Sequence, residues 1–77
     1  MRKQVIGVNQ SIKEVKKDNA DFVYIASDAE KHVVNELEIL CNTNNIEIKY
    51  IETMKKLGNM FNVRVKVAAV TILKGGE

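Results

Sequence analysis

The chain has no proline and no tryptophan, one cysteine and one histidine in 77 residues, and aromatic residues make up only 5% of it. Each scarcity excludes something. A single cysteine cannot close an internal disulfide, so a disulfide scaffold is excluded and a reducing cytoplasm is the expected location. One histidine and one cysteine are too few for an ordinary zinc site built on those residues, and no metal or cofactor is expected. No apolar run approaches the roughly 20 residues that a membrane helix needs. The segment from Met1 to Gln10 has two basic residues but no apolar stretch after them, so it does not read as a signal peptide. Without proline, the chain has to stop its helices with other residues. No linker, repeat or low-complexity tract divides it.

What is present points to one small domain over residues 1–77. Hydrophobic residues are 45% of the chain, too many for a disordered tail. A chain of this length buries only about 60–65% of its unfolded surface. That leaves no room for a large catalytic cleft beside a separate cofactor domain.

Charge is segregated along the chain. Residues 1–17 carry five basic side chains against one carboxylate, residues 18–52 two against eight, and residues 53–77 five against one, giving +4, −6 and +4. If folding brings the two ends together, one face is positive and another negative, the footprint of a polyanion binder.

Apolar spacing sets out the elements. Val8, Ile12 and Val15 recur at helical spacing and predict a helix over Asn9 to Lys17. Phe22 to Ala26 is rich in β-branched and aromatic residues and reads as a buried strand. Ser27 and Glu30 have the spacing of a capping box, starting a helix whose inward face is Val33, Val34, Leu37, Leu40 and Cys41. The loop formers Asn42 to Asn45 end it. Ile46 to Ile51 alternates as a strand. Thr53 is the N-cap expected for a third helix with Met54, Leu57 and Phe61 inward, and Asn62 can adopt the left-handed conformation that stops it. Val67 to Leu73 reads as an interior strand covered on both faces, Arg2 to Ile6 as a short edge strand, and Gly75-Gly76-Glu77 as a frayed end. Alternating strands and helices imply an α/β sandwich with helices on both faces of a four-stranded sheet.

A catalytic reading finds little support. Cys41 and His32 lie nine residues apart on one helix, too far for one site; Cys41 reads as a small buried hydrophobe and His32 as a surface side chain. Asp28 and Glu30 read as helix-start carboxylates. No glycine-rich phosphate loop precedes a helix.

The first helix carries more. Counting about 100° per residue from Asn9 at 0°, Lys13 falls at about 40°, Lys17 at about 80°, Gln10 at about 100° and Lys16 at about −20°, opposite the apolar arc. Asn and Gln each offer a donor and an acceptor suited to base edges, and lysines suit phosphate. Gly7 permits close backbone approach, and a helix N-terminus favours anions. An ordinary solvated face with Asn9 as N-cap fits the same residues. A second basic group, Lys55, Lys56, Asn59, Arg64 and Lys66, surrounds the segment Asn62-Val63-Arg64-Val65. Its valines either tuck inward or form an apolar loop tip that packs on an extruded nucleotide.

Three stretches together resemble the ribosomal L-seven-Ae family of kink-turn RNA-binding proteins: Gly7 through Lys13; Ile25-Ala26-Ser27-Asp28-Ala29; and Leu57-Gly58 followed by Val63-Arg64-Val65 and Ala68-Ala69-Val70. The resemblance spans nearly the whole chain, and the short length is similar to that of compact bacterial members. It implies an α/β fold, a three-layer α/β/α sandwich with a central four-stranded mixed sheet. It also implies a non-catalytic, monomeric protein that binds kink-turns, sharply bent RNA built on tandem sheared G·A pairs and a three-nucleotide bulge. The RNA would be ribosomal, a riboswitch or another structured RNA. By the resemblance Gly7 precedes the reading helix, Asn9, Gln10 and Lys13 contact the guanines, Lys16 and Lys17 meet the backbone, and Val63, Arg64 and Val65 pack on the bulge; Lys55 and Lys56 are candidate RNA contacts from the second basic group alone.

Three positions depart from the family pattern. Many archaeal and eukaryotic members have glutamate at Gln10; glutamine keeps the acceptor but loses the charge. Many have an acidic residue at Arg64. The usual small capping residue is Val8 here, so Gly7 or Asn9 has to cap. The alternative function is a protein-interaction adaptor on the same fold, using the acidic side chains Glu36, Glu38 and Glu47.

Overall fold

The computed structural model describes residues 3–75. The order of elements is β1 (Gln4–Ile6), α1 (Val8–Lys16), β2 (Ala20–Ala26), α2 (Lys31–Thr43), β3 (Glu47–Ile51), α3 (Met54–Met60) and β4 (Ala69–Leu73). The sheet order is β1-β4-β2-β3. β4 runs antiparallel to both β1 and β2, whereas β2 and β3 are parallel, so the four-stranded sheet is mixed.

Strand alternation sends side chains to two separate cores. Val23 and Ile25 of β2, with Ala69 of β4, meet Val15 of α1 and Val34, Leu37 and Cys41 of α2. On the other face Ala26, Val70 and Ile72 meet Leu57 of α3, with Phe22, Tyr24, Met54, Phe61 and Val63 packed around them. Two helices thus cover one face and one short helix the other, the three layers expected. Phe22, Tyr24 and Phe61 lie ring against ring on the α3 side, with centroids 5.4 and 5.7 Å apart.

The helices stop without proline by one repeated device. Each is followed, two residues after its last helical residue, by a left-handed Asp or Asn: Asp18 (φ 60°), Asn45 (φ 56°) and Asn62 (φ 58°). Short polar side chains tolerate that conformation better than other non-glycine residues. Asn62 does what the sequence suggested.

Several boundaries differ from the expectations. α1 begins at Val8 and ends at Lys16, with Gly7 as N-cap and Lys17 as C-cap, so Asn9 lies inside the first turn and caps nothing. The capping box does not form. α2 begins only at Lys31, with Glu30 as an N-cap that makes no side-chain cap hydrogen bond. The Asp28 carboxylate instead accepts from the Met54 amide of α3, at 2.7 Å. Tertiary folding redirected the acid to a helix start that sequence spacing cannot see. Val33, expected inward, is 41% exposed, because the buried arc of α2 is only as wide as Val34, Leu37 and Cys41. β4 starts at Ala69, two residues later than expected, and β1 at Gln4. Arg2 of the expected first strand, and Gly76 and Glu77 of the expected frayed end, lie outside the described residues.

Two hydroxyls are buried in the α1 side of the core, Ser11 on α1 and Thr71 on β4, and neither has a hydrogen-bond partner among the described residues. A buried unsatisfied hydroxyl costs about 1–3 kcal/mol. Thr71→Val removes the hydroxyl and keeps the β-branch. It is expected to gain about 1 kcal/mol, read as a rise of about 4–8 °C in the thermal midpoint. A midpoint at or below that of the parent would mean that the Thr71 hydroxyl is satisfied in solution.

Cys41 is fully buried, as expected of a small hydrophobe. Burial, and secondarily the charge of Glu38, push its thiol up to about 11. The Tyr50 hydroxyl donates to Glu38 at 2.7 Å, and its own pKa is raised, first by that hydrogen bond. In the unfolded chain the thiol titrates lower, near 9.0. Its contribution is therefore complete below pH 9.0 and is lost as pH rises through about 11. Denaturant melts of the parent are expected to lose stability over that window more steeply than melts of Cys41→Ala, which retains only the Tyr50 contribution. Parallel curves would remove Cys41 from the alkaline transition.

Candidate nucleic-acid interface

The sheet pairing brings the two basic ends of the chain together. β1 pairs with β4, and the Gly7 amide that follows β1 donates to the Ala69 carbonyl at 2.8 Å. The start of α1 and the exit of the 61–68 loop therefore sit at one end of the sheet. The C-terminal ends of the parallel strands β2 and β3 open at the same end.

Gly7 has φ 107° and ψ 153°, a conformation that a side chain would strain. Lacking a side chain, it leaves the first-turn amides of α1 without a side-chain cap. Orphan amides at a helix start favour an anion or an acceptor from a partner. The exposed arc of α1 is Asn9, Gln10, Lys13 and Lys16, and Lys17 continues it at the C-cap. Ser11 and Val15 are buried and Ile12 is half-buried, so the polar arc is the face left over when the helix docks. Lys16 lies 3.9 Å from Glu36 of α2. Lys13 and Lys17 make no ion pair among the described residues.

The second basic group is built by α3 and the loop after it. Thr53 caps α3 as expected, its hydroxyl accepting from the Lys56 amide at 3.0 Å. With Asp28 on the Met54 amide, the start of α3 is held from two sides. The loop then folds back onto the helix: the Val63 amide donates to the Gly58 carbonyl at 2.9 Å, and the Val67 amide to Met54 at 3.3 Å. Gly58 makes this possible. A Cβ there would stand 2.7 Å from the Val65 carbonyl oxygen and 3.3 Å from that of Val63. Lys55, Val63, Arg64 and Val65 share one concavity with Asn59 and Lys66. Lys56 does not line it and pairs instead with Glu52 at 3.3 Å. The two valines divide: Val63 is half-buried against the α3 core, while Val65 stands 69% exposed at the loop tip.

The positions legible in sequence thus fall into two clusters at one end of the sheet, on opposite faces: Gly7, Asn9, Gln10, Lys13, Lys16 and Lys17 on α1, and Lys55, Lys56, Val63, Arg64 and Val65 on α3 and its loop. Sequence reading missed the roles of Asp28 and Gly58, because each acts on backbone far from it along the chain or across a fold-back. Of the acidic positions in the adaptor reading, Glu36 pairs with Lys16 and Glu38 accepts from Tyr50, leaving Glu47 on edge strand β3.

Residues 1–77 match the ribosomal protein L7Ae/L30e/S12e/Gadd45 family. The chain belongs to this family. An L7Ae-family relative, an RNA-binding protein of Caldanaerobacter subterraneus, is 41% identical over 73 residues, which is 95% of this chain and 89% of that one. The large ribosomal subunit protein eL8 of Halobacterium salinarum is 32% identical over 72 residues, 92% of this chain but only 60% of that protein. Among solved structures, the 15.5 kD RNA-binding protein of Giardia lamblia superposes with a TM-score of 0.86 at 29% identity, covering 92% of this chain and 60% of the Giardia chain. The L7Ae-family fold is therefore shared with the longer Giardia protein, of which this chain covers 60%.

Proposed function

We propose that this L7Ae-family protein is a non-catalytic RNA-binding protein that recognises kink-turns. The observation that carries the proposal is the α1 face. Asn9, Gln10 and Lys13 are exposed on one arc beside an uncapped helix start, at the sheet end where the second basic cluster lies. The names of the relatives, which are RNA-binding and ribosomal proteins, support the class of partner.

In this reading Asn9 and Gln10 present amide donors and acceptors to the edges of the sheared G·A pairs, and Lys13 donates to guanine acceptors. Lys16 and Lys17 meet the backbone. Lys16 gives up a long surface contact with Glu36 that is worth at most about 1 kcal/mol. Val63, Arg64 and Val65 pack on the bulge from the far side of the sheet end, with Lys55 and Lys56 adding positive charge. Binding the kinked RNA more tightly than the open one shifts the RNA toward the kink with no chemistry on the protein's part. The protein acts as a cytoplasmic monomer on ribosomal RNA, a riboswitch or another structured RNA.

The test compares a kink-turn hairpin with the same hairpin whose G·A pairs are changed to Watson–Crick pairs, at near-physiological salt. A preference of about a hundredfold, or about 2.7 kcal/mol, is expected. Equal binding would reduce the α1 face to a basic surface and move the adaptor function, on the acidic side of the molecule, to first place.

A further inference from the structure

β3 is the longer of the two edge strands, five residues against the three of β1. It has β2 on one side and, among the described residues, no strand on the other. Its pairing with β2 runs residue by residue, without a bulge to twist the edge away. The Ser27 amide donates to the Ile51 carbonyl at 2.7 Å, which fixes the phase of the strand. In a strand the N–H and C=O of one residue point to one side, and those of the next residue to the other. Glu47, Lys49 and Ile51 therefore address β2, while Ile48 and Tyr50 hold their amides and carbonyls toward the open edge. Edges of this kind are commonly blunted by lysine or proline. The chain has no proline, and the one lysine of β3 is turned to the α3 side, 4.4 Å over the Phe22 ring.

Beside this edge lies a cavity for which RNA binding has no use. It measures about 160 Å³ and sits between α2 and the ends of β2 and β3. Ile25, Ala26, Ala29 and Val34 make it apolar, and Tyr50 brings it to the edge. Tyr50 is 55% exposed, and its hydroxyl donates to the half-buried Glu38 carboxylate, which also lines the cavity. The volume is well below the roughly 300–1,000 Å³ of small-molecule sites and suits one long side chain. Neither Glu38 nor Glu47 makes an ion pair among the described residues. Lys31, the one cation of the lining, is two helical turns from Glu38, about 10 Å along α2. These carboxylates attract a cation to the edge and repel an RNA backbone.

We infer that the open edge of β3 docks an extended, basic segment of a partner protein, which adds a fifth strand and places one Lys or Arg side chain in the cavity against Glu38. Main-chain bonds to Ile48 and Tyr50 supply the attachment, and the cavity supplies the preference for that side chain. The inference goes beyond the RNA reading and does not rest on it, since α1 packs on β1, β4 and β2.

The probe is an acetylated hexapeptide of alternating valine and arginine. One control has glutamate in place of arginine. The other is the arginine peptide N-methylated at every residue, which has no amide to donate. Amide shifts and amide hydrogen exchange of the full chain are followed by NMR. The arginine peptide is expected to bind about tenfold tighter than either control and to slow exchange at Ile48 and Tyr50 by about tenfold, leaving Lys49 and Ile51, already bonded to β2, little changed. Glu38→Gln keeps an acceptor for the Tyr50 hydroxyl but loses the charge. It is expected to weaken the arginine peptide about fivefold while the α1 amides keep the shifts of the parent. The inference is overturned if no peptide binds, if either control binds as well as the arginine peptide, or if the response spares Ile48 and Tyr50. Protection of those two amides that grows with protein concentration alone also overturns it, because a second copy of the chain would then hold the edge. None of these results bears on the G·A preference of α1, which the hairpin pair measures separately.

Discussion

Asn9→Ala is expected to abolish discrimination between a kink-turn and its Watson–Crick counterpart while leaving the fold intact. Asn9 is exposed in the first turn of α1 and caps nothing, so its removal touches no packing. An amide that pairs with a base edge through a donor and an acceptor is worth about 1–3 kcal/mol of discrimination, or about five- to 150-fold in Kd. Lys17→Ala is the control. At the C-cap, beyond the reading turn, Lys17 can offer charge only. Its loss is expected to weaken binding to all RNAs by the same factor and to lower the slope of log K against log salt by roughly one. If the two variants behaved alike across both hairpins, α1 would be attracting RNA without reading it.

Gly58→Ala is expected to damage both stability and RNA binding, although alanine is the better helix former by about 0.5–1 kcal/mol. The added methyl would stand 2.7 Å from the Val65 carbonyl oxygen, and backbone cannot swing aside as a flexible side chain does. Overpacking of this kind costs about 1–3 kcal/mol, which exceeds the propensity gain. The loop yields first, since it is exposed on its outer side. A net loss of about 1 kcal/mol and a midpoint lower by several degrees are expected. Affinity for the kink-turn falls with it, while the G·A preference carried by α1 on the opposite face persists. Lys56→Ala, an exposed change on the same helix, should leave the midpoint within a degree or two. A Gly58→Ala protein as stable as the parent, with unchanged affinity, would show that the fold-back of 63–65 onto α3 is loose in solution.

Local patterns in the sequence carried much of the architecture. Apolar spacing located every helix and strand to within a few residues, because burial of one face is a local demand that recurs with the period of the element. Thr53 and Asn62 were legible as helix start and stop because capping chemistry acts over two or three residues. The polar arc of α1 was legible for the same reason. Its assignment to a groove came from resemblance rather than from spacing, since an amphipathic solvated helix has the same pattern.

The failures share a cause. Ser27 and Glu30 have the spacing of a capping box, yet the turn between β2 and α2 is shaped by Asp28 reaching α3, 26 residues away. Val33 has the period of the α2 inward face, yet the width of that face is set by what the helix docks against. Whether Val63 and Val65 point in or out was open in the sequence. The fold-back answered it differently for each.

By itself, then, the sequence determined the order of elements, the α/β layering, the segregation of charge and the scarcity of Cys and His ligands for chemistry, all consequences of composition and short-range periodicity. Only the tertiary structure decided that β4 would lie between β1 and β2, and so bring both basic ends to one end of the sheet. It also decided that Asp28 would cap α3, and that Gly58 would seat a loop whose cations surround a hollow rather than a flat patch. These depend on contacts between residues distant in the chain, whose free energy is realised only when the whole sheet has closed.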